Sequence, residues 1–175
     1  MNLEERYDWA CTNNSDIADH VPTLMQIGRK CRRITEFGVR GGVSTSAWLM
    51  AKPESLICYD RIAYDCLDEL KRIASEQGIH FQFHLADTTT VTIEETDLLF
   101  LDTLHTAEQV RLELTNHVKV STYIILHDTV SCGEIGEDGG LGITFPMLDF
   151  LSKNPNWTMA ANYIQNNGLV ILKKI

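Results

Sequence analysis

Residues 34–48, ITEFGVRGGVSTSAW, pass from an apolar strand through a glycine turn into a helix. Gly38, Gly41 and Gly42 let the backbone approach a ligand with no Cβ in the way. In open α/β sheets ligands sit beyond the carboxyl ends of the strands, where the strand order reverses, so this turn is the first place to expect one. Its spacing is G-x-x-G-G, which matches neither the dinucleotide fingerprint G-x-G-x-x-G nor a phosphate loop ending in G-K-[ST]. Glu36 stands two residues before the turn's first glycine. A carboxylate there disfavours a pyrophosphate and favours a ligand bearing an ammonium group.

Outward from this stretch the chain alternates. Residues 44–51 read as a helix with Ser44 or Thr45 as its N-cap and Pro53 beyond its end. Strands are expected at 33–37, 55–60, 80–86, 97–102 and 122–128, with helices at 64–78 and 107–118 between them. Residues 16–31 read as an amphipathic helix started or interrupted at Pro22, inside an N-terminal helical region spanning 1–33. Only DTTTVTIEET, 87–96, separates the third strand from the fourth, so a helix there is very short or absent. The tail carries a glycine-rich loop at 131–143, a helix at 145–153 and strands at 157–163 and 168–174. IQNNG, 164–168, is a hairpin signal that reverses the last strand. Alternating strands and helices imply a mostly parallel seven-stranded sheet with helices on both faces, in one α/β domain covering 1–175.

Composition narrows the function. The net charge of −9 and the lack of a Lys/Arg stripe argue against a nucleic-acid partner. Apolar runs such as YIIL are too short to span a bilayer, and the acidic opening MNLEERYDWA lacks the basic start and apolar stretch of a secretory segment. No membrane association and a cytoplasmic location are the expectation. Five scattered cysteines with no C-x-x-C pair argue against a disulfide framework and a thiolate zinc site and read as reduced thiols.

S-adenosylmethionine carries an ammonium and a sulfonium and no phosphate, which suits Glu36 as NAD does not. Asp60 ends the second strand, 22 residues after Gly38, where a carboxylate can accept both ribose hydroxyls. Ile62 is the expected apolar wall for adenine and Asp87 the acceptor for its amino group. Gly38, Gly41, Gly42 and Ser44 of the turn, with Asp102, complete the expected cofactor contacts.

Three motifs, TEFGVRGGVSTSAWL (35–49), LLFLDTLHTAEQVRLEL (98–114) and YIILHDT (123–129), resemble those of class I S-adenosylmethionine-dependent methyltransferases. The nearest subgroup is that of small O-methyltransferase-like proteins with D-x-x-H and H-D-T at the fourth and fifth strand ends. The resemblance covers residues 16–130 and implies a Rossmann-like domain with strand order 3-2-1-4-5-7-6.

It also implies a chemistry. Related sugar O-methyltransferases use the D-x-x-H histidine as base and hold a divalent metal with acids at these two strand ends. Carried over, His105 is the candidate base, since a neutral imidazole can take a proton near pH 7. Asp102 and Asp128 are the candidate Mg²⁺ ligands. The sequence departs from the metal-binding pattern at His127, where relatives commonly carry an acid. His127 is a candidate ligand, second base or merely hydrogen-bonded histidine.

The expected activity is methylation of a hydroxyl on a small-molecule acceptor, with a homo-oligomer as one candidate assembly. The rival readings are a silent S-adenosylmethionine-binding protein and a metal-dependent hydrolase. The acids of residues 133–138 read as a solvated loop able to close over substrate.

Overall fold

In the computed structural model, which describes residues 1–175, seven strands form one sheet. They are β1 (Arg33–Phe37), β2 (Ser55–Asp60), β3 (His80–Leu85), β4 (Thr96–Leu101), β5 (Val120–His127), β6 (Trp157–Tyr163) and β7 (Leu169–Lys174). Their order is β3-β2-β1-β4-β5-β7-β6. β7 runs antiparallel to both β5 and β6, as the hairpin signal required. Six α-helices accompany them: α1 (Leu3–Thr12), α2 (Val21–Gly28), α3 (Val43–Ala51), α4 (Leu67–Glu76), α5 (Ala107–Glu113) and α6 (Thr144–Lys153).

Side chains alternate across each strand, and that alternation divides the core. Ile34, Leu56, Cys58, Leu98 and Phe100 pack with α1–α4, burying Leu3, Leu24, Trp48, Leu70 and Ile73. Phe37, Ile57, Tyr59, Leu99 and Leu101 pack with α5 and α6, burying Val110, Met147 and Phe150. No helix joins β3 to β4; Thr88 and Ile93 of that connection are buried instead. The expected helix over 16–31 is shorter, a 3₁₀ turn at Ala18–His20 followed by α2. No helix is long and apolar enough to cross a membrane.

The sheet order reverses between β1 and β4, and two strand ends meet there. The Asp102 N–H donates to the Phe37 carbonyl at 2.9 Å. Gly38 has φ +90°, and a Cβ on it would lie 1.8 Å from the Asp102 carbonyl oxygen. Only glycine fits at that junction.

α1 braces the glycine turn through one buried cation. The Arg6 guanidinium donates to the Gly41 carbonyl (2.6 Å), the Ser46 hydroxyl (3.1 Å) and Glu69 (3.2 Å), and lies 4.1 Å over the Trp9 ring. Arg6→Ala is expected to destabilise the fold by about 2–3 kcal/mol, since it removes three hydrogen bonds of a buried cation, among them the buried one to the Ser46 hydroxyl. A lowered denaturant midpoint at unchanged m-value checks this; an unchanged midpoint would show the brace to be idle.

Candidate active site

The glycine turn corrects the reading of Glu36. Strand alternation puts its side chain on the face of Ile34, inside the α3 layer, and it is fully buried. Its carboxylate accepts from the Ser44 hydroxyl (2.7 Å), the Thr45 hydroxyl (2.7 Å), the Trp48 indole (3.0 Å) and the Cys58 thiol (3.2 Å). It borders none of the cavities of the cleft described below. Burial pushes its carboxyl up to about 7, against the downward pull of those four donors. Glu36 therefore holds strand β1 to helix α3 and does not face a ligand. Ser44 and Thr45 spend their hydroxyls on Glu36, so neither caps α3; Gly42, at φ +74°, takes that position.

Three adjoining cavities, about 540, 470 and 490 Å³, form a cleft across the carboxyl ends of β2, β1, β4 and β5. Asp102 and Arg40 border all three. The first is walled by Trp9, Asp16, Gly41 and Ser44. The third holds Asp60 and Ile62 together with Gly38, Thr88 and Gln109. Asp60 Oδ2 accepts from the Val39 N–H at 2.7 Å and Oδ1 from the Ile62 N–H at 3.0 Å, leaving acceptor capacity on Oδ1. Ile62 is 55% exposed, an apolar side chain open to the cavity. Asp87 is not part of this wall. Its carboxylate folds back onto the Thr89 hydroxyl (2.6 Å) and pairs with Arg61 (2.5 Å).

The second cavity contains the acid–histidine cluster. β4 ends at Leu101 and delivers Asp102; the turn into α5 delivers His105. β5 ends on His127 and places Asp128 in a left-handed conformation, φ +54°, which costs a non-glycine residue about 1–2 kcal/mol. His105 Nε2 lies 3.2 Å from Asp102 Oδ1 and 3.1 Å from Asp128 Oδ2. His127 Nδ1 lies 3.1 and 3.0 Å from the same two atoms. The other ring nitrogens also face acceptors. His105 Nδ1 meets Glu137 at 2.5 Å, and His127 Nε2 meets the carbonyls of Asp16 (3.1 Å) and Asn166 (3.3 Å).

This geometry controls charge. Burial pushes both imidazoles down, but the Asp102 and Asp128 carboxylates outweigh it and hold His105 up at about 9 and His127 up at about 10. Burial raises Asp102, yet the two imidazoles bring it well below the carboxylate range. With no other cation in the cluster, His105 already carries a proton near neutral pH. The expected neutral base is in this respect corrected. His127, 1% exposed and boxed by acceptors, is not open to a substrate.

Several participants escaped the sequence reading. The Asn166-Asn167-Gly168 turn has three consecutive positive φ angles and supplies the Asn166 carbonyl and the Asn167 amide, which donates to Asp128 Oδ1 at 2.9 Å. Its N-N-G motif signalled the hairpin and nothing else. Ser131 donates to the same Asp128 oxygen. Glu137 belongs to the glycine-rich loop, whose acids were expected to be solvated. His20 is fully buried with its ring centroid 5.8 Å from that of His127.

No family model and no curated protein matches the sequence. Solved structures do. The fold is similar to that of the S-adenosylhomocysteine-bound methyltransferase PaMTH1 of Podospora anserina, with TM-score 0.62 and 19% identity over 99% of this chain and 87% of that one. The Bacillus cereus O-methyltransferase in complex with S-adenosylhomocysteine gives 0.65 and 17%, over 99% and 90%. The N-methyltransferase NodS of Bradyrhizobium japonicum, with the same product bound, gives 0.65 and 15%, over 98% and 96%. At these identities the likeness establishes the fold, a Rossmann-like sheet in the order that these methyltransferases share.

Proposed function

We propose that this chain is an S-adenosylmethionine-dependent methyltransferase acting on a hydroxyl of a small molecule such as a sugar. One observation carries the reading: Asp102 borders every part of the cleft, so the Asp60–Ile62 side and the acid–histidine side are continuous. Asp60 and the apolar Ile62 fit a ribose and an adenine face, and Thr88 and Gln109 replace Asp87 at the base edge. With Glu36 buried, Asp16 and Asp102 are the carboxylates left facing the cleft where an ammonium would lie. Bound S-adenosylmethionine supplies an electrophilic methyl group on a sulfonium.

The chain's own residues handle the acceptor. His105 is the imidazole that borders the cavity; held protonated near neutral pH by the carboxylates, it serves as base, or as ligand of a cation that activates the hydroxyl, once it has given up its Nε2 proton. Mg²⁺ fits the cluster poorly. It demands an oxygen octahedron, and two imidazole nitrogens occupy half of the converging positions.

Calorimetry with S-adenosylmethionine, S-adenosylhomocysteine and NAD, followed by methyl transfer to an acceptor panel, tests the proposal. Binding of NAD alone would overturn it, and cofactor binding without transfer to any acceptor would mark a silent binding protein. Asp60→Ala should weaken the sulfonium cofactor by about 10- to 100-fold, the loss of one or two hydrogen bonds to a charged group. An unchanged Kd in that variant would take the ribose away from Asp60.

A further inference from the structure

α5 carries Gln109 and Glu113 four residues apart, so both side chains leave the same face of the helix. Gln109 is 6% exposed and Glu113 is fully buried. Glu113 Oε1 accepts three hydrogen bonds, from the Thr88 hydroxyl (2.6 Å), the Thr103 hydroxyl (2.6 Å) and the Gln109 amide (2.7 Å). Gln109 Nε2 also donates to Thr88 Oγ1 at 2.9 Å, with a longer contact to Thr103 Oγ1 at 3.4 Å. Thr88, Thr103 and Gln109 border the cavity that holds Asp60 and Ile62, and Glu113 does not.

A count of protons fixes what this wall can offer a ligand. A hydroxyl has one to donate and a primary amide two. Both threonine protons go to Glu113, and the amide protons go to Glu113 and Thr88. The amide cannot be turned over, because its oxygen would then face Glu113 Oε1, acceptor against acceptor, at 2.7 Å. The count is the same for either charge on Glu113. A proton on that carboxyl would sit on Oε2, which is enclosed and has no partner. The donors of the wall are therefore exhausted. Gln109 Oε1 is the acceptor left over: the side chain makes every hydrogen bond through Nε2, and Oε1 is not among the enclosed atoms.

We infer that Gln109 reads the base of the cofactor, its Oε1 accepting from an exocyclic amino group, and that buried Glu113 is the positioning residue that holds the amide in that orientation. The inference rests on the proposed cofactor site and deepens it by specifying the base: a 6-amino purine is favoured over a 6-oxo purine. An oxo group at that position sets a second acceptor against Gln109 Oε1, and the Thr88–Thr103–Gln109 wall has no proton to turn towards it. The Asp87 carboxylate, tied to Thr89 and Arg61, leaves this role to Gln109.

The test is calorimetry of the full chain with S-adenosylhomocysteine and S-inosylhomocysteine, which differ only in the 6-amino or 6-oxo edge of the base. The adenosyl compound is expected to bind at least about tenfold more tightly, the worth of one hydrogen bond exchanged for an opposed pair of acceptors. Gln109→Leu should bring that ratio close to one. Glu113→Gln should lower it as well, because an amide at 113 donates as readily as it accepts and frees the Gln109 amide to turn. A purely structural loss at 113 would weaken both compounds alike and leave the ratio unchanged. Where a replacement prevents folding, as judged by circular dichroism, the wild-type ratio and the other variant decide. Equal affinities in the wild type would overturn the inference. A ratio untouched by Gln109→Leu would overturn the assignment to Gln109, and one untouched by Glu113→Gln the positioning role. Equal binding of both compounds defeats only the reading of the base, whereas binding of neither defeats the cofactor site with it.

Discussion

His105→Ala is expected to lower methyl-transfer turnover by about 10²–10⁴-fold, the usual worth of a positioned acid–base group, while S-adenosylmethionine affinity stays nearly unchanged. The separation follows from the cleft. His105 borders the cavity of the acid–histidine cluster and not the one holding Asp60 and Ile62. Removing it leaves the Asp60 contacts to Val39 and Ile62 in place. Both roles open to His105, base and metal ligand, use Nε2 once its proton is released, so the loss of turnover is common to them. Single-turnover kinetics beside cofactor calorimetry make the measurement. Full turnover in the variant would remove His105 from the mechanism; equal losses of turnover and cofactor affinity would show a collapsed pocket instead.

The second large effect concerns stability. Glu36→Ala should destabilise the fold by about 3–5 kcal/mol, because it leaves the Trp48 indole and two buried hydroxyls without their acceptor and opens a cavity beside α3. Glu36→Gln keeps the shape and an acceptor and should cost far less. The pH dependence separates them further. Unfolded, Glu36 ionises near its usual 4.5; folded, only near about 7, because burial disfavours the charge. Between those values the folded state holds an extra proton, so this residue's contribution to stability is complete at low pH and declines as pH rises through 7. Relative to wild type, Glu36→Gln should therefore gain roughly 3 kcal/mol between pH 4.5 and about pH 8. Denaturant titrations at several pH values read this directly. Parallel pH profiles for the two proteins would show that Glu36 is ionised throughout.

Glu36 also shows where sequence reasoning stopped. Its position beside the glycine turn was legible, and so was the strand it lies on. The parity that places it with Ile34 on the α3 side was legible too, but the electrostatic argument treated the strand end as open. What closed it is α3, which lays the Ser44, Thr45 and Trp48 donors over the carboxylate. Asp60 and Ile62 face the cleft because they lie at and just beyond the end of β2, where the chain leaves the sheet. Asp87 failed for a local reason: Thr89 and Arg61 offered its carboxylate nearer partners.

The amino-acid sequence by itself determined the alternation of strands and helices, the reversed final strand, the missing helix before β4 and the strand ends that carry Asp60, Asp102, His127 and Asp128. These follow from periodicity and turn chemistry, which act over a few residues. Only the tertiary structure decided that Glu36 is internal, that Arg6 braces the turn, and that His105 and His127 meet the same two carboxylate oxygens. It also brought Glu137 and the Asn166–Asn167 turn to that cluster, from segments 32 and 39 residues distant. Such meetings depend on how the sheet order folds separate strand ends together, and no local pattern encodes a distance between them.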